Sequence, residues 1–232
     1  MPESSMPVSL TPVSHATAVL QWDGDVIYTD PVDDPRVFAG LPAPTLILVT
    51  DIHPDHLNAQ TLQALLGGTD AALVVPPAVA EQLPAALAAR ARVLRNGEGT
   101  TSAAGLAVEA VPMYNLPDQE PIFHEKGRGN GYVLERDGFR VYIAGDTADT
   151  PEMRALKDID IALVPMNLPF TMSVERAADG VLAFAPRHVY PYHYRGPQGG
   201  PSDIGRFKEL VTRANPDIDV VLLDWYALPQ AS

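Results

Sequence analysis

The sequence predicts an α/β fold of four layers: two mixed β-sheets packed face to face with helices on the outside, an αββα sandwich. Two observations carry this expectation. The N-terminal part is a series of short β-rich segments joined by tight turns. Most of the remainder alternates apolar runs of strand length with helical segments, the rhythm of strand–helix–strand units. A third observation is that successive predicted strands end near His, Asp or Asn, which places the candidate chemistry at strand ends.

Residues 8–13 (VSLTPV), 16–22 (ATAVLQW) and 25–30 (DVIYTD) are β-branched or aromatic runs, with Asp23-Gly24 as a two-residue hairpin turn. Residues 45–50 (TLILVT) form a continuous apolar run of buried-strand length, delivering the polar cluster DIHPDH at 51–56. Asn58 to Leu66 reads as a helix closed by Gly67-Gly68, 71–75 as a strand, and Pro77 to Ala89 as one alanine-rich helix with proline near its first turn. Leu106 to Val111 is a predicted strand, and 131–147 (GYVLERDGFRVYIAGDT) a hairpin turning at Asp137-Gly138. Strand 159–167, helix 174–185, strand 188–194, helix 202–211 and strand 218–225 complete the order. No linker and no short-period repeat divides the chain, so residues 1–232 are expected to form a single domain.

With 232 residues, 46% hydrophobic and 19% charged, the chain has the composition of a globular protein with a substantial core. The formal charge of −13 repels polyanions, so nucleic acid is not an expected partner. Cysteine is absent, which removes disulfides, thiolate metal sites and thiol nucleophiles and leaves His, Asp and Glu as metal ligands. No apolar run approaches the roughly 18 residues of a membrane span. The N-terminal MPESSMPVSL lacks the basic and apolar regions of a signal peptide, so a cytoplasmic protein is expected.

Of six histidines, two fall in Asp51-x-His53-x-Asp55-His56. Four metal-competent side chains within six positions, in a loop after a buried strand, favour metal binding over a plain polar turn. In an extended loop alternate residues face one way, so Asp51, His53 and Asp55 are expected to converge while His56 turns toward a second centre.

This loop resembles the His-x-His-x-Asp-His signature of the metallo-β-lactamase superfamily. Further landmarks follow in the family's order: IYTDP at 27–31, FHEKGRGNGY at 123–132, AGDT at 144–147 and PYHY at 191–194. The segments GNGYVL, YIAGDT, MNLPFTM, YPYHYRG and the terminal WYA are similar to the small single-domain hydrolase branch related to ascorbate-6-phosphate lactonase. The resemblance implies the metallo-β-lactamase fold and two divalent metal ions. His53 and His124 would hold the first, Asp55, His56 and His193 the second, and Asp146 would bridge them. Asp51 stands where the family usually has histidine. Zinc is the expected metal, and a carboxylate at 51 favours a harder ion, manganese or iron, or weakens the first site.

The implied chemistry is hydrolysis of an ester, lactone or phosphoester of a small molecule by a metal-activated hydroxide, with Asp55 as the catalytic residue that orients the attack and takes a proton. His15 and Asp30 are expected behind the ligands or at the substrate. Lys126 and Arg128, two cations beside His124, would receive an anionic substrate, although a solvated loop explains them slightly better. Tyr194, beside His193, is grouped with them. Tyr114-Asn115, Asn167 and 170–172 sit at strand-to-loop junctions, where pocket lining, turn formation and packing are all consistent. Three other functions fit the same residues: a phosphodiesterase or nuclease, a non-catalytic binding or oligomerisation module stabilised by metal, and a redox role using a di-iron centre. The composition leaves association of identical copies open.

Overall fold

The computed structural model describes residues 6–102, 104–119, 121–196 and 200–226. Two mixed sheets are present. The first holds six strands in chain order: β1 (Val8–Ser14), β2 (Thr17–Trp22), β3 (Asp25–Thr29), β4 (Leu46–Leu48), β5 (Ala72–Val75) and β6 (Ala91–Val93). β1 to β3 form an antiparallel meander, and β3 to β6 run parallel. The second holds seven: β7 (Gly99–Thr101), β8 (Ala107–Met113), β9 (Gly129–Arg136), β10 (Phe139–Ile143), β11 (Ile161–Pro165), β12 (His188–Tyr192) and β13 (Asp219–Val220), ordered 13-12-11-10-9-8-7. β7 to β10 are antiparallel and β10 to β13 parallel.

Helices α1 (Ala59–Leu66), α2 (Pro77–Gln82) and α3 (Ala85–Ala88) accompany the first sheet, and α4 (Pro151–Arg154), α5 (Val174–Phe184) and α6 (Ile204–Ala214) the second. β4 shows why both faces of the first sheet are apolar. Its period-two alternation turns Leu46 and Leu48 toward the second sheet, in one core with Leu134, Val141 and Ile143. Ile47 and, just beyond the strand, Val49 turn outward into a separate core with Leu62 and Leu66 of α1 and Val79 of α2. A strand covered on both sides must read as an unbroken apolar run, as TLILVT does. Burial of each such side chain contributes roughly 1.5–3 kcal/mol.

Both predicted hairpin turns are present, with Asp23 and Gly24 at φ +46° and +87° and Asp137 and Gly138 at +52° and +81°, the conformation that favours Asp-Gly. Three expectations need correction. The single helix over 77–89 is broken into α2 and α3, because Leu83 is extended (ψ 141°) before Pro84, which has no N–H to continue a helix. The strand over 218–225 shrinks to Asp219–Val220: the hydroxyl of Tyr194 donates to the Leu223 carbonyl (3.2 Å) and accepts from the Trp225 N–H (3.4 Å), drawing the chain off the sheet. Strands β6 and β7 and helix α4 were not expected; each spans three or four residues, too few to show a period. Among the described residues no helix is long and apolar enough to cross a membrane.

Candidate metal centre

The candidate residues reach one place because strands of both sheets end there. Asp30 follows β3, the 51–56 loop follows β4, Asp146 follows β10 and His193 follows β12. The two sheets are joined at this edge by the Asn130 N–H donating to the Thr50 carbonyl (2.9 Å) and the Tyr132 hydroxyl donating to the Val49 carbonyl (2.8 Å). His15, Asp30 and His193 adopt φ of +43°, +43° and +47°. Left-handed conformations cost a non-glycine residue about 1–3 kcal/mol. Here they turn the chain sharply at strand ends that border the centre.

Two clusters result: Asp55, His56, Asp146 and His193, and Asp51, His53 and His124. Asp146 faces both, with Oδ2 3.3 Å from His56 Nε2 and 3.2 Å from His124 Nε2, and Oδ1 3.4 Å from His193 Nε2. Asp55 Oδ2 lies 3.3 Å from His193 Nε2, and Oδ1 3.9 Å from His56 Nε2. These contacts are ion-pair distances without hydrogen-bond alignment: His56 Nε2, His124 Nε2, His193 Nε2 and Asp146 Oδ1 are buried without a hydrogen-bond partner among the described residues. Unpartnered buried polar atoms are costly and rare. Two ligand atoms each about 2.0–2.1 Å from a tetrahedral zinc stand roughly 3.3 Å apart. The spacing and the missing partners therefore fit a shared cation, and the imidazole and carboxylate donors suit zinc, manganese or iron.

The 51–56 loop divides differently from the alternation expected of an extended segment. The His53 carbonyl accepts from the N–H groups of both His56 and Leu57 (2.9 Å each), so the loop is a turn and Asp55 joins His56 rather than Asp51 and His53.

Supporting contacts orient the rings. His56 Nδ1 donates to Asp30 Oδ2 at 2.7 Å, which directs Nε2 at Asp146. Burial disfavours the His56 cation, but the Asp146 and Asp30 carboxylates outweigh it and hold its pKa well above the ordinary value. Burial likewise opposes ionisation of Asp146, and His193, His56 and His124 reverse this, keeping it well below the carboxylate range. His124 is fixed by Asn115, whose Oδ1 accepts from the N–H groups of Phe123 (2.9 Å) and His124 (2.8 Å) and lies 3.2 Å from His124 Nδ1. His15 packs on His193 with ring centroids 3.8 Å apart and planes tilted by 40°, its carbonyl accepts from the His193 N–H, and its Nε2 is 3.4 Å from Asp55 Oδ2. Its other nitrogen, Nδ1, lies 2.9 Å from the hydroxyl of Tyr226.

Three residues grouped with the substrate have other partners. Arg128 grips Asp51 with two bonds, Nε to Oδ1 at 3.0 Å and Nη2 to Oδ2 at 2.8 Å, and its Nη1 donates to the Phe123 carbonyl at 2.8 Å. Lys126 pairs with Glu152 and stands over the Tyr114 ring. Tyr194 holds the C-terminal segment through its hydroxyl. Each of the two cations is thus paired with a carboxylate of the protein, Arg128 in a buried contact and Lys126 at the surface. Arg128 also cancels the extra negative charge that Asp51 brings to the first cluster. Burial alone would raise the Asp51 pKa; His53 and Arg128 hold it at about 2.

Thr50 was not singled out from the sequence, and Asn115 and Tyr226 not for these roles. Thr50 donates its N–H (2.7 Å) and hydroxyl (2.6 Å) to Asp30. Nothing local marks these residues, since their partners are distant in sequence.

The sequence profile described as Beta-lactamase superfamily domain matches residues 9–193. The chain is 32% identical over 170 residues, 72% of its length and 74% of the relative's, to a UPF0173 metal-dependent hydrolase from Thermococcus onnurineus. It is similar to a solved structure assigned as a metal-dependent hydrolase from Parabacteroides distasonis, with a TM-score of 0.80, 37% identity, and 93% and 92% of the two chains covered. Igni18, a metallo hydrolase from Ignicoccus hospitalis, gives a TM-score of 0.77 over 93% of this chain and 94% of its own, and at 23% identity it speaks for the fold alone.

Proposed function

The chain belongs to the beta-lactamase superfamily, and from that premise we propose that it is a metal-dependent hydrolase of small-molecule esters, lactones or phosphoesters. One observation carries this reading: buried, unpartnered ligand atoms of His56, His124, His193 and Asp146 converge beside the half-exposed carboxylate of Asp55. His53 and His124, with Asp51, would hold one divalent ion and Asp55, His56 and His193 the other, with Asp146 shared. Zinc is the proposed ion, and the carboxylate of Asp51 leaves manganese or iron open. What such ions would supply is Lewis acidity toward the scissile group and a water pKa brought down to about 7.

The remaining chemistry rests with the chain. Asp55 is the proposed catalytic residue. Although burial opposes it, the His15 and His193 imidazoles beside it hold its pKa far below the ordinary range, so it is ionised and able to orient water. His15 and His193 fix its Oδ2, leaving the exposed side of the carboxylate toward solvent. Asp30 and Asn115 keep the ligand rings from rotating. No serine or thiol nucleophile is required.

The test is a panel of lactones, carboxylic esters and phosphoesters offered to chelator-treated and zinc-reconstituted protein. Activity on at least one class, absent after chelation and restored by zinc, is expected. Asp55→Asn should retain folded structure and lose roughly 10²–10⁴-fold in kcat. Activity that survives full removal of metal would overturn the proposal.

A further inference from the structure

The two clusters are unequal in a way that predicts their order of filling. In the second, His56 Nε2, His193 Nε2 and Asp146 Oδ1 have no competing hydrogen bond, and His56 is backed by the Asp30 carboxylate, which raises imidazole basicity. In the first, His124 Nε2 is likewise free, but the carboxylate that belongs to this cluster alone is already engaged. Asp51 is fully buried, its Oδ1 accepts from Arg128 Nε, and its Oδ2 faces both Arg128 Nη2 (2.8 Å) and His53 Nδ1 (2.9 Å). A carboxylate has about four lone-pair positions, and the bidentate guanidinium takes the two that matter for a chelating grip. His53, moreover, is the most exposed histidine of the two clusters, with 36% of its side chain accessible.

Arg128 cannot easily let go. Its third contact is to the Phe123 carbonyl, and it immediately precedes Gly129, whose missing side chain lets β9 pass the end of β4. A Cβ there would stand 2.8 Å from the Thr50 carbonyl and 3.3 Å from Asp51 Oδ1. The guanidinium is thus held against Asp51 by the junction of the two sheets.

We infer that Arg128 acts as a built-in competitor for the first metal. The cluster of Asp55, His56, Asp146 and His193 fills first and tightly, and the cluster of Asp51, His53 and His124 fills only at higher free metal. Arg128 is in this sense a positioning residue that sets the occupancy of the centre. The inference rests on the metal-dependent reading above.

The experiment is titration of the metal-free full chain with Zn²⁺ against a chelator of known affinity, with bound zinc counted by elemental analysis. The wild-type chain should take up one zinc tightly and a second at least roughly tenfold more weakly, a difference of the size that contacts behind metal ligands typically set. His193→Ala should abolish the tight event and His53→Ala the weak one. Arg128→Met, which keeps much of the side-chain volume but removes the donors, should bring the second event toward the first; Arg128→Lys, a point charge without the fork, should fall between. Circular dichroism of each variant distinguishes lost binding from lost fold, and should Arg128→Met fail to fold, Arg128→Lys carries the test alone. Two equal sites in the wild type, a tight site lost in His53→Ala rather than His193→Ala, or two events unmoved by either Arg128 variant would overturn the inference and leave the hydrolase reading standing. No zinc bound at all would overturn both.

Discussion

Asp30 is 1% exposed, and its carboxylate accepts from the Thr50 N–H and hydroxyl and from His56 Nδ1. Asp30→Asn places an NH₂ group in a position that must accept the imidazole proton, which drives that proton to Nε2 and blocks the atom aimed at Asp146. The expected loss is about 10–100-fold in affinity for the tightly held metal, measured by chelator competition. His56 also predicts a pH dependence for the metal-free chain. Its folded pKa is raised, so its contribution to stability is complete below about 6.5 and disappears as pH rises through the higher folded value. Thermal unfolding of metal-free protein should therefore shift downward as pH is raised above about 6.5, and His56→Gln should flatten that dependence. A slope of the opposite sign in the wild type would contradict the charged state assigned to this ring.

Helix α1 starts where Asn58 Oδ1 accepts from the Gln60 and Thr61 N–H groups (3.0 and 3.2 Å), while Asn58 Nδ2 donates to the Val32 carbonyl at 2.9 Å. That cap fixes the exit of the 51–56 loop, so Asn58→Ala should cost about 1–2 kcal/mol in urea unfolding. At the junction of β9 and β4 there is no room for a side chain: a Cβ at Gly129 would also overlap the Met113 methyl. Gly129→Ala should lower stability by about 1–3 kcal/mol, as overpacking does, and should disturb Asp51 and Arg128, with spectroscopic or elemental readout of the weaker metal. A neutral effect on both would mean that the sheets separate there at little cost.

For the molecule as a whole, metal and fold are thermodynamically linked. At a thousandfold excess of free metal over Kd, bound metal adds about 4 kcal/mol to stability, roughly 8–16 °C in Tm for a domain of this size. Chelation should remove that increment reversibly, as calorimetry would show. The charge of −13 bears on the choice of substrate. A polyanion meets repulsion over most of the surface, and Lys126 and Arg128, the cations beside His124, are paired with Glu152 and Asp51. DNA and RNA oligonucleotides should show no salt-sensitive binding and should not compete with a small ester; binding that strengthens at low salt would revive the nuclease reading.

The sequence by itself determined the layers, the two hairpin turns and the strand-end placement of the candidate ligands, because periodicity, Asp-Gly turns and the DIHPDH cluster are local properties written within a few residues of one another. It also made Asp51 conspicuous. Alternation along the loop placed Asp55 with Asp51 and His53 while the family resemblance placed it with His56, and the tertiary structure decided between them, since a turn closed on the His53 carbonyl sets it beside His56. It alone turned Arg128 from a candidate substrate anchor into the partner of Asp51, 77 residues away in sequence. The roles of Asn115, Thr50 and Tyr226 were hidden for the same reason. A ligand type can be read from one segment, but the hydrogen bond that aims it comes from whichever distant strand the packing brings alongside.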